Sequence, residues 1–138
     1  MPNPISTFNA LYDQPYISLT TFRKNGDCVA TPVWFAQDMN SGILYIETAA
    51  NSGKVKRIRH TSRVTIAPCT ARGTTTGDVT AAQARIVTDT AETFRARGAL
   101  HRKYGFQRQF LYSALELIRI IRRKTSEEDA YLAIEPIE

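Results

Sequence analysis

Short apolar runs alternate with turn residues along most of the chain, a pattern typical of β-strands. Runs rich in β-branched and aromatic residues predict six strands, at 16–22, 28–37, 43–48, 64–69, 78–87 and 130–135. Between the first two, Asn25-Gly26 predicts a two-residue type I′ hairpin, because both central residues of that turn need a positive φ. Pro32 has no N–H to donate, so we expect it at a sheet edge or a break in pairing.

Helical periodicity is confined to a few segments. Residues 7–14 predict one or two turns that bury Phe8, Leu11 and Tyr12, and a short basic helix follows the third strand. Residues 91–103 predict a helix capped within 88–90, and residues 106–123 predict another with a wide apolar face. Because helices do not alternate with strands, the pattern disfavours a parallel α/β sheet. We predict a mainly β fold, a small antiparallel barrel with peripheral helices, in one domain spanning 1–138.

The strand at 78–87 contains three alanines, Ala81, Ala82 and Ala84. Small side chains on a strand allow a ligand or another subunit to approach closely, and they also suit a tight barrel corner. The sequence leaves both interpretations open.

Composition indicates a globular protein with a hydrophobic core of its own. The chain has 138 residues and 43% hydrophobic content, enough for a core that needs no disulfide or metal. Cys28 and Cys69 form no Cys-x-x-Cys pair, so we interpret them as buried apolar residues in a reducing compartment, with a disulfide as the open alternative. No signal-peptide pattern and no apolar run of roughly 20 residues is present. We therefore expect a cytoplasmic protein without a membrane partner.

The formal charge of +5 favours anionic partners: phosphorylated small molecules, a membrane surface or nucleic acid. Basic residues concentrate in three segments, at 54–63, 95–108 and 119–124. These segments lack interleaved aromatic residues, which disfavours stacking on single-stranded nucleic acid. Nucleic acid therefore ranks below a small-molecule partner.

The first basic segment has the features of an anion site. Asn51 or Ser52 can cap a short helix and leave the amides of its first turn, at 53–55, without intrahelical acceptors. These amides, the helix dipole and Lys54 together favour a bound phosphate. Lys54 and Arg57 are three residues apart and share one helix face. The alternative interpretation is a solvated basic helix, and Lys56, Arg59 and His60 are predicted to be solvated in either case.

Other chemistries are poorly supported. His60 and His101 lie far apart without a carboxylate or cysteine at ligand spacing, so we expect no metal. No nucleophile elbow, GxGxxG or P-loop is present. A bound cofactor would therefore have to supply any chemistry. The interrupted strand around Pro32 could offer backbone groups to the polar edge of a flat ring, with Trp34 packed on that ring or, alternatively, in the core.

Taken in order, these motifs resemble a known family. They are Tyr-Ile-Ser-Leu-Thr-Thr-Phe at 16–22, Val-Ala-Thr-Pro-Val-Trp-Phe at 29–35, Leu-Tyr-Ile-Glu-Thr at 44–48, Ser-Gly-Lys-Val-Lys-Arg-Ile-Arg at 52–59, and Arg-Val-Thr-Ile-Ala-Pro-Cys at 63–69. The set is similar to the pyridoxamine 5′-phosphate oxidase-like split β-barrel superfamily, and within it to the flavin/deazaflavin-dependent oxidoreductases. The resemblance covers about residues 14 to 88 and the C-terminal strand.

The resemblance implies a six-stranded antiparallel split β-barrel that forms a homodimer with cofactor sites at the subunit interface. It places the cofactor phosphate at the start of the basic helix and the cofactor ring along the second strand. The implied cofactor-binding residues are Thr31, Pro32, Val33, Trp34, Thr48, Ser52, Gly53, Lys54 and Arg57.

Two departures from the family pattern refine this prediction. Gly53 stands where the oxidase itself has an arginine, which leaves Lys54 and Arg57 to supply charge. The tryptophan-plus-arginine segment that completes the pyridoxal phosphate site is missing from the C-terminus, so we do not expect true pyridoxamine 5′-phosphate oxidase activity.

Thr-Pro-Val-Trp and Ser-Gly-Lys-Val imply the deazaflavin coenzyme F-420 as the first choice of cofactor, with FMN as the competitor. The resemblance implies hydride transfer to a small-molecule acceptor, with no side chain needed as catalytic acid or base. A non-catalytic flavin- or haem-related binding protein is the alternative.

Overall fold

The computed structural model describes residues 8, 11, 13–104 and 129–137. Its elements are β1 (Ile17–Phe22), β2 (Cys28–Val33), β3 (Ala36–Gln37), β4 (Leu44–Ala49), α1 (Gly53–His60), β5 (Arg63–Pro68), β6 (Thr80–Ile86), α2 (90–104) and β7 (Asp129–Pro136). The strands form one antiparallel sheet in the order β2-β1-β5-β6-β7-β4-β3. The mainly β, antiparallel fold is as predicted. Tyr12 and the helix predicted at 106–123 lie outside the described residues.

One predicted strand, 28–37, is in fact two strands at opposite edges of the sheet, so the prediction of six strands was wrong by one. The break falls at Trp34 and Phe35. Tyr104 Oη accepts from the Phe35 N–H at 3.1 Å and donates to the Phe35 carbonyl at 2.7 Å. These backbone groups are therefore satisfied without a strand partner. Because one continuous segment supplies both edges, the sheet curls into a half-barrel. Pro32 lies in the edge strand β2, as predicted.

The first hairpin differs from its prediction. Gly26 has a φ of 93°, whereas Asn25 keeps a negative φ, so the turn cannot be type I′. The Gly26 N–H donates to the Arg23 carbonyl at 2.9 Å, and the Arg23 N–H donates to the Asp27 carbonyl at 2.8 Å. This pattern is a type I turn followed by a left-handed glycine, the three-residue hairpin loop. The Asn-Gly pair predicted the position of the hairpin but not its loop length.

The main core fills the concave side of the curled sheet, with α1 as its cover. Val55 and Ile58 of α1 are buried in this core, together with Ala82 and Ala84 of β6. The small side chains of β6 therefore make room for α1. At these two positions neither a ligand nor a second subunit is needed to explain the alanines. Ala81 points to the other face and is exposed. Phe8 and Leu11 are also buried in this core, as predicted.

A second cluster lies on the convex side, under α2. Its buried members are Ala36, Tyr45, Ala96, Ala99, Leu100, Tyr104, Tyr131 and Ala133. The carboxylate of Asp89 caps α2 by accepting from the Glu92 N–H at 2.9 Å. Glu92 in turn binds Arg85 at 2.5 and 2.6 Å and accepts from Tyr45 Oη at 2.7 Å, which fixes the start of α2 on the sheet. Hydrogen bonds to Arg85 hold the pKa of Glu92 below its usual value.

Candidate functional site

The first turn of α1 has the groups that an anion site would need. Ser52 is the N-cap, the second of the two candidates that the sequence offered, and its Oγ accepts from the Val55 N–H at 3.4 Å. Thr48 Oγ1, at the end of β4, donates to the same Ser52 Oγ at 3.2 Å. Because Ser52 Oγ accepts two hydrogen bonds, its own proton is left to donate outward. The amides of Gly53 and Lys54 belong to the same turn, where a helix provides no acceptors of its own.

Arg57 folds back over this turn and occupies the space that Gly53 leaves open. A Cβ built on Gly53 would lie 2.6 Å from Arg57 Nη1 and 3.3 Å from its Cζ. Arg57 Nε also donates to Thr21 Oγ1 on β1 at 2.6 Å, which fixes the guanidinium in that position. A guanidinium from residue 57 therefore lies beside the backbone of Gly53, at the start of the helix.

Lys54 is the second cation of the site. It is half-buried, and its burial together with the nearby Arg57 guanidinium lowers its pKa from the ordinary 10.5. Two cations held this close repel each other, so a bound anion would relieve the repulsion. α1 carries no acidic residue in its first turn that could do so. Lys56, Arg59 and His60 are exposed, as predicted.

Thr21 is the functional residue that the sequence reasoning missed. It is fully buried, and it stands on the same side of β1 as the core residues Ile17 and Leu19. A hydroxyl on an otherwise apolar strand face was the available signal, since buried hydroxyls need partners. Its partner, Arg57, lies 36 positions away, so the pairing itself could not be deduced from spacing.

The predicted ring-binding strand contributes one residue to this face. In the β1–β2 ladder, Thr31 stands opposite Leu19, and Val29 stands opposite Thr21. Thr31 therefore lies on the concave side, about 7 Å along the strand from the pair that holds Arg57. Its Oγ1 is buried and has no hydrogen-bond partner among the residues that the structure describes. An unpaired buried hydroxyl is costly, and a polar ligand atom would satisfy it.

The other three residues of that strand have different surroundings. Val33 packs against the main core. Pro32 is exposed on the convex side, where its ring lies 3.6 Å from a Cβ built on Gly73. Trp34 stacks on Tyr104 with ring centroids 5.2 Å apart and packs against the convex cluster. The structure thus brings Thr31 to the same face of β1–β2 as the Arg57 anchor, and it places Pro32 and Trp34 away from that face.

Other candidate chemistries find no support in the described part of the chain. No group of three or more His, Cys, Asp or Glu residues there could hold a metal ion. Both cysteines are free: Cys28 is exposed and Cys69 is buried, so the interpretation as buried residues holds for Cys69 alone. Burial raises the pKa of the Cys69 thiol. None of the described helices has the length and apolarity required to span a bilayer.

A curled antiparallel sheet with two cations at the start of a helix agrees with the predicted split barrel. Comparison with protein families matches residues 7–129 to pyridoxamine 5′-phosphate oxidase, and the chain belongs to this family. No curated protein matches the sequence.

Solved structures share the fold at low sequence identity. A FAD-binding protein from Mesorhizobium loti is 12% identical, with a TM-score of 0.64 over 97% of this chain and 88% of that one. A pyridoxamine 5′-phosphate oxidase-related, FMN-binding protein from Nostoc punctiforme is 16% identical, with a TM-score of 0.57 over 97% and 76%. HutZ, the haem storage protein from Vibrio cholerae, is 12% identical, with a TM-score of 0.62 over 97% and 88%. These similarities establish the split-barrel fold.

Proposed function

We propose that the protein binds a flavin nucleotide, FMN in the first instance, and serves as an oxidoreductase for a small-molecule acceptor. The proposal rests on one observation: the Arg57 guanidinium fills the place above Gly53 at the start of α1. This contact brings a positive charge to the start of α1, where the sequence lacks the arginine of the oxidase, and so supports FMN. Relatives that bind FMN and FAD share the fold and support a flavin. Coenzyme F-420, the first choice from sequence, becomes the competitor.

The residues present fit a phosphate monoester. Ser52 Oγ–H and the amides of Gly53 and Lys54 are donors in one helical turn, and Lys54 and Arg57 add two positive charges. Among the described residues Thr31 Oγ1 has no hydrogen-bond partner, and it lies two residues along the ladder from the pair that holds Arg57, so a polar atom of the cofactor would satisfy it. When bound, a flavin supplies two-electron hydride chemistry, in which the acceptor is reduced as the ring is oxidised. The protein positions the cofactor and stabilises its negative charge.

A homodimer is part of the proposal. On the convex side, Ala30, Thr20, Thr65 and Ala81 stand side by side in one row across β2, β1, β5 and β6. Ala30 and Ala81 are exposed. A row of short side chains allows the same row of a second copy to approach closely.

The test is a titration with FMN and with riboflavin, which lacks the phosphate, followed by flavin fluorescence. We expect FMN to bind at micromolar concentration and riboflavin at least tenfold more weakly. Lys54→Ala should weaken FMN binding by about 1 to 3 kcal/mol without changing riboflavin binding. Lys56→Ala, which removes an exposed charge from the same helix, is the matched control and should have little effect. Equal affinities for FMN and riboflavin would refute the phosphate site.

Two further measurements separate the competitors. A parallel titration with reduced coenzyme F-420 decides between the cofactors, because a deazaflavin protein would bind it in preference to FMN. Multiple-turnover assays with a reductant and a panel of acceptors distinguish an oxidoreductase from a binding protein, the class suggested by the shared fold of the haem storage protein. Binding of FMN without turnover of any acceptor would favour the binding protein.

A further inference from the structure

A cleft of about 530 Å³ lies at the far end of α1 from the phosphate site. It is lined by Phe22, Arg23, Lys24, Gly26, Thr61, Arg63 and Thr65. Three segments meet there: the β1–β2 hairpin, the residue that ends α1 and the start of β5. Its volume lies within the range of small-molecule sites.

The cleft carries three cations and no lining carboxylate. Arg23, Lys24 and Arg63 are all exposed, and within residues 13–104 and 129–137 none of them forms a salt bridge. Asp27 is the acid next to the hairpin loop, but its carboxylate accepts from Asn25 Nδ2 at 3.1 Å, and it does not line the cleft. Three like charges on one cleft repel each other, and an anion is the ligand that lowers this cost.

The remaining lining residues narrow the class of anion. Phe22 is half-buried and offers part of its ring as an apolar wall, while Thr61 and Thr65 offer hydroxyls that can donate or accept. Cations beside an aromatic wall suit a molecule that combines an aromatic ring with phosphate or carboxylate groups. An inorganic anion would use the charges alone.

This cleft is separate from the site proposed for the cofactor phosphate. Thr61 is the C-cap of α1 and Ser52 its N-cap. At 1.5 Å per residue, roughly 13 Å of helix axis separates the two ends. The two anion sites therefore use different residues and can be altered independently.

We propose that the cleft is a second ligand site, which binds a small aromatic anion, phosphorylated or carboxylated, through Arg23, Lys24 and Arg63. This site goes beyond the proposed flavin chemistry and does not depend on it. Thr65 also belongs to the row of short side chains proposed for the dimer contact, and the rest of the cleft extends beyond that row towards the β1–β2 hairpin. It would give the protein a place for a charged aromatic substrate or effector.

ATP, tripolyphosphate and adenosine are suitable probes, because they present ring and anion together and apart. Amide chemical shifts of Gly26, Thr61 and Thr65 report on the cleft. We expect saturable shifts at these amides with ATP, weaker binding of tripolyphosphate, and none of adenosine. Arg63→Gln should weaken ATP binding roughly three- to tenfold, the loss of one partly solvated charge contact.

Arg59→Gln is the matched control, since Arg59 is an exposed arginine on α1 outside the cleft. It should change ATP affinity less than twofold, and Lys54→Ala should leave the shifts at the cleft amides unchanged. Equal weakening by Arg59→Gln and Arg63→Gln would show non-specific attraction to a basic surface and would overturn the proposal. Shifts that do not saturate, or that move with Lys54→Ala, would overturn it as well.

Discussion

Replacement of Gly53 by alanine tests the cation cradle most sharply, because FMN binding should weaken although stability hardly changes. The new Cβ would lie 2.6 Å from Arg57 Nη1, so the guanidinium must retreat by about 0.8 Å to reach the 3.4 Å of ordinary contact. The displacement also costs the hydrogen bond to the buried Thr21 hydroxyl, about 1 kcal/mol of stability. Alanine is the better helix former by up to about 1 kcal/mol, so these two effects nearly cancel and we expect stability to change by less than about 1 kcal/mol.

Binding of FMN should nevertheless weaken. The displaced guanidinium loses its 2.6 Å hydrogen bond to Thr21 Oγ1 and its fixed position beside the phosphate. We expect a loss of about 1 kcal/mol, roughly a fivefold higher Kd, from a weakened charge-assisted contact. Complete removal of the charge in Arg57→Ala should cost about 1.5 to 3 kcal/mol. Isothermal titration with FMN measures both, and thermal unfolding measures stability in the same samples.

The double variant, Gly53→Ala with Arg57→Ala, shows whether displacement of the guanidinium causes the loss of FMN affinity. In the Arg57→Ala background no guanidinium remains to be displaced, so Gly53→Ala should then leave FMN affinity unchanged. Gly98→Ala is the matched control, since its Cβ would also approach an arginine, Arg102 Nη1 at 3.3 Å, but on α2. A similar loss of affinity in both backgrounds would show that Gly53 acts through something other than Arg57, and the cradle would be refuted.

Three further predictions concern single positions. Thr31→Val should raise the stability of the free protein by up to about 1 kcal/mol, because it removes an unsatisfied buried hydroxyl, and should weaken FMN binding; calorimetry that shows lower stability would contradict this. Above a pH of about 7, where the phosphate is a dianion, FMN affinity should be constant while Lys54 is protonated in the free protein, and it should fall as pH rises through the lowered pKa of Lys54, because the bound phosphate favours the protonated form. Lys54→Arg, titrated over the same range, should remove that part of the fall, and an identical pH profile would exclude Lys54. Ala81→Glu should convert the expected dimer into a monomer in light scattering, whereas a dimer of undiminished affinity would place the interface elsewhere.

The sequence predicted most of the strands because their alternation is local. It could not predict the break at Phe35, since the hydroxyl that takes over its backbone groups belongs to Tyr104, 69 positions further along the chain. Pro32 predicts an edge or a break nearby, but residues 33–36 form a continuous apolar run, so the sequence does not show where the break falls. The hairpin at Gly26 was placed correctly, but its loop depends on one glycine with positive φ rather than two such residues.

In the candidate site, too, the features set by local sequence were predictable and those set by distant contacts were not. Ser52, Lys54 and Arg57 were predictable because capping preferences and helical spacing act within one turn. The fold of Arg57 back over Gly53 was not predictable, because it depends on Thr21 on another strand. The packing of Trp34 could not be predicted from the residues next to it in sequence, because the ring on which it stacks belongs to Tyr104 on α2.

The central claim is that the phosphate of a flavin is held at the start of α1. Amide chemical shifts of Gly53 and Lys54 during an FMN titration test it most directly, with riboflavin as the reference ligand. We predict large, saturable shifts of both amides with FMN, because their N–H groups would donate to the phosphate, and small ones with riboflavin. Unperturbed Gly53 and Lys54 amides in a protein saturated with FMN would contradict the claim.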